Sequence, residues 1–195
     1  MGKAVFDITV SLDGYVTGPD DDRERPLGEG GELLHDWIFS RGTAAETTVL
    51  DELYGQTGAV IAGRRTYDFS AGPGRWGDGG PLGRIPVFVL THDVPEKAAG
   101  TGDVFTFVTD GIESALAQAK EVAGDRNVYV MGGADIAQQY IEAGLLDEIQ
   151  LHVVPVLLGA GRRLFEHIGT EHVELESTRV LHSPGAVHLR YRIVK

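Results

Sequence analysis

The chain has 195 residues, 42% of them hydrophobic, and a formal net charge of -12 from 29 acidic and 17 basic residues. This length suits one hydrophobic core, so we expect a single domain over residues 1–195. The acidic balance argues against a nucleic-acid partner, which would need a basic surface to bind phosphate. The absence of cysteine excludes disulfides, a thiol nucleophile and cysteine-bound metal. No apolar run approaches the ~20 residues of a membrane span, and no leader-like segment precedes the first strand, so a cytoplasmic protein without membrane contact is predicted.

The predicted elements of the N-terminal part begin with a strand over residues 4–11, where apolar and polar residues alternate. Residues 19–31 are acidic and glycine-rich, which predicts a mobile surface loop. Three consecutive aspartates in this loop favour a solvated segment over a metal site, because adjacent side chains diverge. Apolar residues at helical spacing predict a helix over 33–38. A second helix starts at the capping-box pair Thr43 and Glu46, and Gly55 is its expected end.

The rest of the chain alternates between apolar strands and helices. Strands are predicted at the short apolar runs 59–62, 87–90, 104–108 and 128–131, and a long apolar strand segment interrupted by Pro155 is predicted over 149–158. One helix is expected between the caps Asp110 and Glu113 and its end at Gly124, and another runs to Gly144. Residues 173–193 alternate around a Ser183-Pro184-Gly185 turn, which predicts an antiparallel hairpin. This order predicts an α/β fold with a mixed, mostly parallel sheet covered by helices on both faces.

Unusual residues follow three of the predicted strands, where open α/β sheets bind their ligands. They are Gly63-Arg64-Arg65-Thr66, Thr91-His92 and Gly132-Gly133-Ala134-Asp135. Two glycines between a strand and a helix allow a phosphate to approach the backbone N–H groups, although a tight packing turn explains them equally well. The adjacent arginines suit the 2′-phosphate of NADP, and the alternative is a pair of surface ion pairs in an acidic chain.

Four segments of the chain resemble known reductases, in the same order. AVIAGRRTY over residues 59–67 and VYVMGGADIAQQYI from Val128 are similar to the dihydrofolate reductase superfamily. LLDEIQLHVVPVLLGAGRRLF over residues 145–165 resembles the reductase domain of the bifunctional riboflavin-biosynthesis deaminase-reductase more closely. Ser11-Leu12-Asp13-Gly14 is similar to the first-strand motif of that domain. The match spans essentially the whole chain, and it implies the three-layer fold of the dihydrofolate reductase superfamily with an antiparallel C-terminal hairpin.

The resemblance also implies NADPH as the cofactor. By position, Gly63, Arg64, Arg65 and Thr66 would meet its adenosine end, and Thr91 and His92 would lie near the adenosine phosphate. Gly132, Gly133, Ala134, Asp135 and Ile136 would hold the pyrophosphate, while Val10, Asp13, Gly14 and Tyr15 would border the nicotinamide.

Two aspartates are candidates for the acid that protonates the substrate as it receives a hydride. Asp13 follows the first strand and Asp36 lies on the predicted helix; a raised pKa would suit either to the task. Asp13 is favoured, although it is also a natural turn residue before Gly14, and Asp36 would equally suit a solvent-facing position. Trp37 and Trp76 are candidates for stacking on a flat substrate, with a place in the core as the alternative.

The histidines do not predict a metal site. Their spacing matches no metal-binding motif, and solvated side chains are the preferred interpretation of His167 and His172.

The leading functional hypothesis is an NADPH-dependent reductase of the riboflavin-biosynthesis type. Its small heterocyclic substrate would be 5-amino-6-(5-phosphoribosylamino)uracil or a related pyrimidinone ribosylamine phosphate. A deaminase activity is excluded because that chemistry needs a cysteine-containing zinc motif. A dihydrofolate or pterin reductase is the first alternative, and a nucleotide-binding protein without turnover is the second. A symmetric homodimer is expected, since Val153 to Leu158 and the C-terminal hairpin offer a sheet edge that needs protection.

Overall fold

The computed structural model describes residues 2–40, 42–71, 76, 79–96, 103–166, 168–169 and 172–195. The strands are β1 (Ala4–Ser11), β2 (Tyr15–Thr17), β3 (Thr57–Gly63), β4 (Val87–Leu90), β5 (Phe105–Val108), β6 (Asn127–Met131), β7 (Glu148–Val154), β8 (Arg162–Arg163), β9 (Leu175–His182) and β10 (Val187–Ile193). The α-helices are α1 (Asp36–Ser40), α2 (Ala44–Gln56), α3 (Arg64–Ser70), α4 (Ile112–Ala123) and α5 (Ala134–Glu142), and a 3-10 helix at Gly31–His35 precedes α1.

The main sheet has eight strands in the order β5-β4-β3-β6-β1-β7-β10-β9. The six strands from β5 to β7 are parallel, and β10 and β9 are antiparallel additions at one edge. The predicted mixed, mostly parallel α/β fold is therefore confirmed. All six parallel strands end at the same edge of the sheet, and β6 lies between β3 and β1. The turn after β6 is consequently flanked by the ends of two strands from the N-terminal part of the chain.

Helices cover both faces of this sheet. On β3, Ala59 and Ile61 belong to the core cluster that includes the apolar faces of α4 and α5, whereas Val60 and Ala62 pack in a second cluster with Tyr67 of α3. Burial of both faces explains why this strand is an unbroken apolar run. A third cluster lies between α1, α2 and the end of β7.

The local signals at helix ends are partly confirmed. The capping box of α2 is present: the Glu46 backbone N–H donates to Thr43 Oγ1 at 3.3 Å, and the Thr43 N–H donates to Glu46 Oε2 at 3.0 Å. The helix continues through Gly55 to Gln56. The expected cap at Asp110 is wrong. Gly111 precedes α4 without a side-chain cap, and the Asp110 carboxylate accepts instead from Ser114 Oγ at 3.1 Å.

One predicted interruption is present and two features were missed. The strand segment predicted over 149–158 stops at its interruption: β7 ends at Val154, because Pro155 has no N–H to donate to a neighbouring strand. The segment Arg64–Ser70 is helical although no helix was predicted there. The antiparallel pair β2–β8 was also missed, whereas the C-terminal hairpin is confirmed.

None of the helices in the described parts of the chain is both long enough and apolar enough to cross a bilayer.

Candidate functional site

The turn after β6 packs against the start of α3 at the carboxyl edge of the sheet. Gly132 has a φ of 113°, and a Cβ built on it would lie 2.4 Å from Thr66 Oγ1. Only glycine fits both the backbone conformation and this close approach. Two of the segments singled out in the sequence, Gly63–Thr66 and Gly132–Asp135, therefore form one continuous surface.

Arg64 connects this surface to the end of β4. Its Nε lies 2.9 Å from both carboxylate oxygens of Asp68, and its Nη1 donates to Thr91 Oγ1 at 3.1 Å and to the Asp93 carbonyl at 2.7 Å. The predicted neighbours Arg64 and Thr91 are thus in contact. His92 is exposed beside Thr91. A guanidinium and a hydroxyl group, two donors that bind anions, meet here, and the carboxylate of Asp68 occupies one side of the guanidinium.

Arg65 extends in another direction. Its guanidinium group pairs with Asp21 at 2.7 Å and lies 4.3 Å from the centre of the Phe69 ring. Arg64 and Arg65 therefore point in different directions, because consecutive residues of a helix point about 100° apart. Their place at the adenosine end of a cofactor stays a prediction. The acidic loop that was expected to be mobile is anchored through Asp21.

The N-terminus of α5 offers backbone donors. Gly133 precedes the helix and no side chain caps it. The side chains of Ala134 and Ile136 are buried, whereas Asp135 is exposed. An anion at this helix start would consequently meet the first N–H groups, which lack partners within the helix.

Asp13 is tied to the segment that follows β7. Its carboxylate accepts from Ser11 Oγ at 2.6 Å, from the Leu158 N–H at 3.1 Å and from the Gly159 N–H at 2.7 Å. These hydrogen bonds, with that of Ser11 the strongest, lower the pKa of Asp13 to about 2. The raised pKa that an acid would need is therefore absent here, and Asp13 is ionised at neutral pH.

The residues beside Asp13 complete the end of β1. The side chain of Val10 is buried, and Gly14 has a φ of 90°. The Tyr15 N–H donates to Ser11 Oγ at 2.9 Å, and the Gly14 carbonyl accepts from the Leu164 N–H at 3.0 Å. Hydrogen bonds consequently hold this turn both to the end of β1 and to the segment at Leu164.

Asp36 and Trp37 line a groove of about 560 Å³ between α1, α2 and the segment after β7. Asp36 is exposed at the first position of α1, and the groove wall includes Val154 and Val156. The Val156 carbonyl accepts from the Leu12 N–H at 2.9 Å, which connects this wall to the turn at Asp13. Asp36 is therefore accessible from the groove, next to the end of β1.

Trp37 is a core residue that forms only the floor of this groove. Its side chain is 3% exposed, and its Nε1 donates to Thr9 Oγ1 at 3.2 Å. The ring centre lies 4.5 Å from that of His152 and 4.8 Å from that of His188. Of the two interpretations of Trp37, the structure favours the core.

Trp76 lies far from the end of β1. Its ring is nearly parallel to that of Phe105, with the centres 6.3 Å apart, on the edge strand β5. Three strands, β4, β3 and β6, separate β5 from β1. The structure therefore does not bring the two tryptophans together, and stacking of Trp76 on a flat substrate stays a prediction.

The sequence analysis missed a buried histidine pair under Trp37. His152 Nδ1 and His188 Nδ1 are 2.8 Å apart, and His152 Nε2 lies 3.3 Å from the carboxylate of Asp7. Burial, followed by the charge of His152, lowers the pKa of His188 to about 4. The alternation of Asp7, Thr9 and Ser11 with apolar residues in β1 was the available signal that this strand has a polar face.

In the described parts of the chain, no group of three or more His, Asp or Glu residues is arranged to hold a metal ion. His167 lies outside the described residues.

Comparison with known proteins gave consistent matches. Residues 3–189 match the sequence profile of the RibD C-terminal domain. The Bacillus subtilis (strain 168) proteins YyaP and YwjB, both uncharacterized, are 24% and 27% identical; the alignments cover 97% and 87% of this chain, and 94% and 86% of those proteins. A Shewanella sp. PV-4 protein with a proposed role in riboflavin biosynthesis has a similar structure, with a TM-score of 0.72, 21% identity and 99% of each chain covered. The riboflavin biosynthesis reductase Rib7 of Saccharomyces cerevisiae has a TM-score of 0.62 at 15% identity, over 99% of this chain and 90% of that one.

Proposed function

This chain belongs to the RibD C-terminal domain family, and we propose that it is an NADPH-dependent reductase of the riboflavin-biosynthesis type. The proposed substrate is 5-amino-6-(5-phosphoribosylamino)uracil or a related pyrimidinone ribosylamine phosphate. The observation that carries the proposal is the contact between Gly132 and Thr66, which joins two candidate phosphate-binding turns at the carboxyl edge of the sheet. We also propose a cytoplasmic location.

The residues at this edge fit NADPH. Gly133 leaves the space of a side chain free at the start of α5, where the first N–H groups are available for a phosphate. Arg64 and Thr91 present a guanidinium and a hydroxyl group to the 2′-phosphate of the adenosine. When bound, the cofactor supplies the hydride, and the chain's own task is to bind, orient and exclude water.

We propose that Asp13 positions the end of β1 and that a water molecule delivers the proton. A carboxyl group with a pKa of about 2 holds no proton at neutral pH, so it is a poor general acid. Its hydrogen bonds to Leu158 and Gly159 instead fix the segment after β7 against the turn at Gly14. The carboxylate thereby shapes the pocket that the resemblance assigns to the nicotinamide.

A pterin or dihydrofolate reductase is the second candidate, and the position of Asp36 favours it. This exposed carboxylate lines the groove of about 560 Å³ beside the end of β1. A carboxylate in that place suits the amino and ring N–H groups of a pterin.

The test is a panel of NADPH-oxidation assays with the phosphorylated pyrimidinone, with dihydrofolate and with neither substrate. Oxidation only with the pyrimidinone supports the first candidate, and oxidation only with dihydrofolate supports the second. If NADPH binds but neither substrate accelerates its oxidation, the protein binds the nucleotide without turnover and the proposal is rejected.

Cofactor choice is tested with Arg64→Gln. Loss of a charged hydrogen bond to the 2′-phosphate should weaken NADPH binding by about 1.5–3 kcal/mol and leave NADH binding nearly unchanged. Equal affinity of the unmodified protein for the two cofactors, measured by calorimetry, would contradict the assignment.

We propose a symmetric homodimer as the assembly. The strand β9 is an outer edge of the sheet, and its Leu175 and Val180 side chains are exposed. Pairing with a second copy would protect such an edge. Light scattering at micromolar concentration should give the dimer mass, and a monomer mass would count against this proposal.

A further inference from the structure

The carboxylate of Asp21 lies between two arginines. Arg65 Nη2 is 2.7 Å and Arg65 Nε 3.1 Å from Asp21 Oδ2, and Arg162 Nε is 3.2 Å and 3.0 Å from the two carboxylate oxygens. The Asp21 side chain is only 12% exposed, whereas the two arginines are 47% and 41% exposed. One anion is therefore enclosed while the cations that hold it remain accessible to solvent.

This ion-pair chain joins elements that follow two different strands of the main sheet. Arg65 is in the first turn of α3, directly after β3. Arg162 is in β8, which pairs with β2 just beyond β1. Because β6 lies between β3 and β1 in the sheet, Arg65 follows one of the two strands that flank the strand leading to Gly132 and Gly133, and Arg162 pairs with the segment that follows the other.

The charges at this position suit an anion larger than a carboxylate. A single carboxylate between two guanidinium groups leaves an excess of one positive charge. Guanidinium groups bind phosphate oxygens through the same planar donor geometry that they present to Asp21. A diphosphate brings more negative charge and more acceptor oxygens than Asp21 supplies.

The loop that carries Asp21 has internal hydrogen bonds that do not depend on the Asp21 carboxylate. Its neck is closed by backbone hydrogen bonds from Gly18 to Leu27 and from Glu29 to Pro19, both 2.8 Å long. Within it, the Asp22 carboxylate accepts from the N–H groups of Glu24 and Arg25. These contacts do not involve the arginines at positions 65 and 162, so the loop keeps them when the Asp21 carboxylate is displaced. The Asp21 carbonyl separately accepts from Arg65 Nη2 at 2.8 Å.

We propose that Arg65 and Arg162 form a binding site for the diphosphate of a dinucleotide, and that Asp21 fills this site until the diphosphate displaces it. The inference rests on the proposed function for the identity of the dinucleotide. It adds Arg162 to the binding residues and makes the acidic loop a latch that cofactor binding releases.

The test compares Asp21→Asn and Arg162→Gln by calorimetry with three probes: NADPH, NADH and inorganic pyrophosphate. Removal of the competing charge in Asp21→Asn should tighten the binding of all three probes by about three- to tenfold. Arg162→Gln should weaken all three by about tenfold. The matched control is Asp20→Asn, which removes the same charge from an exposed neighbour in the same loop and should leave the affinities nearly unchanged.

The inference would be overturned if the Asp21→Asn variant bound pyrophosphate no more tightly than the Asp20→Asn control, or more weakly than the unmodified protein. In either case Asp21 would only orient the arginines. Unchanged affinity in Arg162→Gln would overturn it as well. Arg162→Lys replaces the glutamine variant if circular dichroism shows that the latter is unfolded. If pyrophosphate responds as expected but neither dinucleotide binds, the anion site stands and the proposed function fails. If both dinucleotides bind and neither affinity changes in these variants, the proposed function is retained and the proposed displacement of Asp21 is rejected.

Discussion

The free energy of unfolding should fall steeply as the pH is lowered from 6.5 to 4, because His188 is buried in a neutral form. Its ring packs against Trp37, its Nδ1 is 2.8 Å from that of His152, and its Nε2 has no hydrogen-bond partner among the described residues. Only one proton fits between the two Nδ1 atoms, so an additional proton that charges His188 would place an N–H at Nε2, where it has no acceptor.

The magnitude follows from the shift of the His188 pKa from 6.5 to about 4. One pKa unit corresponds to about 1.4 kcal/mol, so neutral His188 contributes about 3 kcal/mol. The unfolded chain binds the proton more readily than the folded protein does. The contribution is therefore complete above pH 6.5, falls by up to about 1.4 kcal/mol per pH unit, and is lost by pH 4. Burial also lowers the pKa of His35, which adds to the same slope.

The assay is urea denaturation at intervals from pH 7.5 to pH 4.5, with His188→Asn compared against His182→Asn. The exposed His182 is the matched control at the end of β9. His188→Asn lowers the stability at neutral pH but should flatten its dependence on pH, because the titrating group is gone. A pH slope in His188→Asn as steep as in the unmodified protein would refute the reasoning.

Two further predictions concern the end of β1 and the turn after β6. In Asp13→Asn we expect kcat to stay within about tenfold of the unmodified enzyme, with an unchanged pH profile, whereas loss of a general acid would cost ~10²–10⁴-fold; steady-state kinetics decide between the two. Gly132→Ala should destabilise the fold by about 2–4 kcal/mol, because its Cβ meets Thr66 Oγ1 and the backbone has a φ of 113°. The double variant with Thr66→Ala should recover part of this loss in thermal unfolding, and no recovery would show that the contact is unimportant.

The elements that could be predicted are those determined by neighbours in the sequence. The strand Val87–Leu90 was predicted at its observed bounds, since a short apolar run buried on both faces needs no further information. The capping box of α2 depends on two residues three positions apart, Thr43 and Glu46. The rest of the fold was predicted from the resemblance of four segments, in the same order, to known reductases.

The features that escaped prediction depend on partners distant in sequence. The low pKa of Asp13 comes in part from N–H groups 145 and 146 residues further along the chain. The ion pairs of Asp21 reach 44 and 141 residues away, so its loop looked unanchored. Trp37 and Trp76 were grouped by their chemistry, although the strand order places them in different parts of the sheet.

The central position of β1 has a consequence for the newly made chain. Ala4 pairs with Val128 and Val5 with Glu148, so β1 can pair only after more than a hundred further residues have been synthesised. At ~5–20 residues per second, more than a hundred intervening residues take on the order of ten seconds to synthesise. During that time an apolar segment remains unpaired, which exposes the nascent chain to aggregation. Holdase chaperones that bind extended apolar segments should therefore favour its yield in cells.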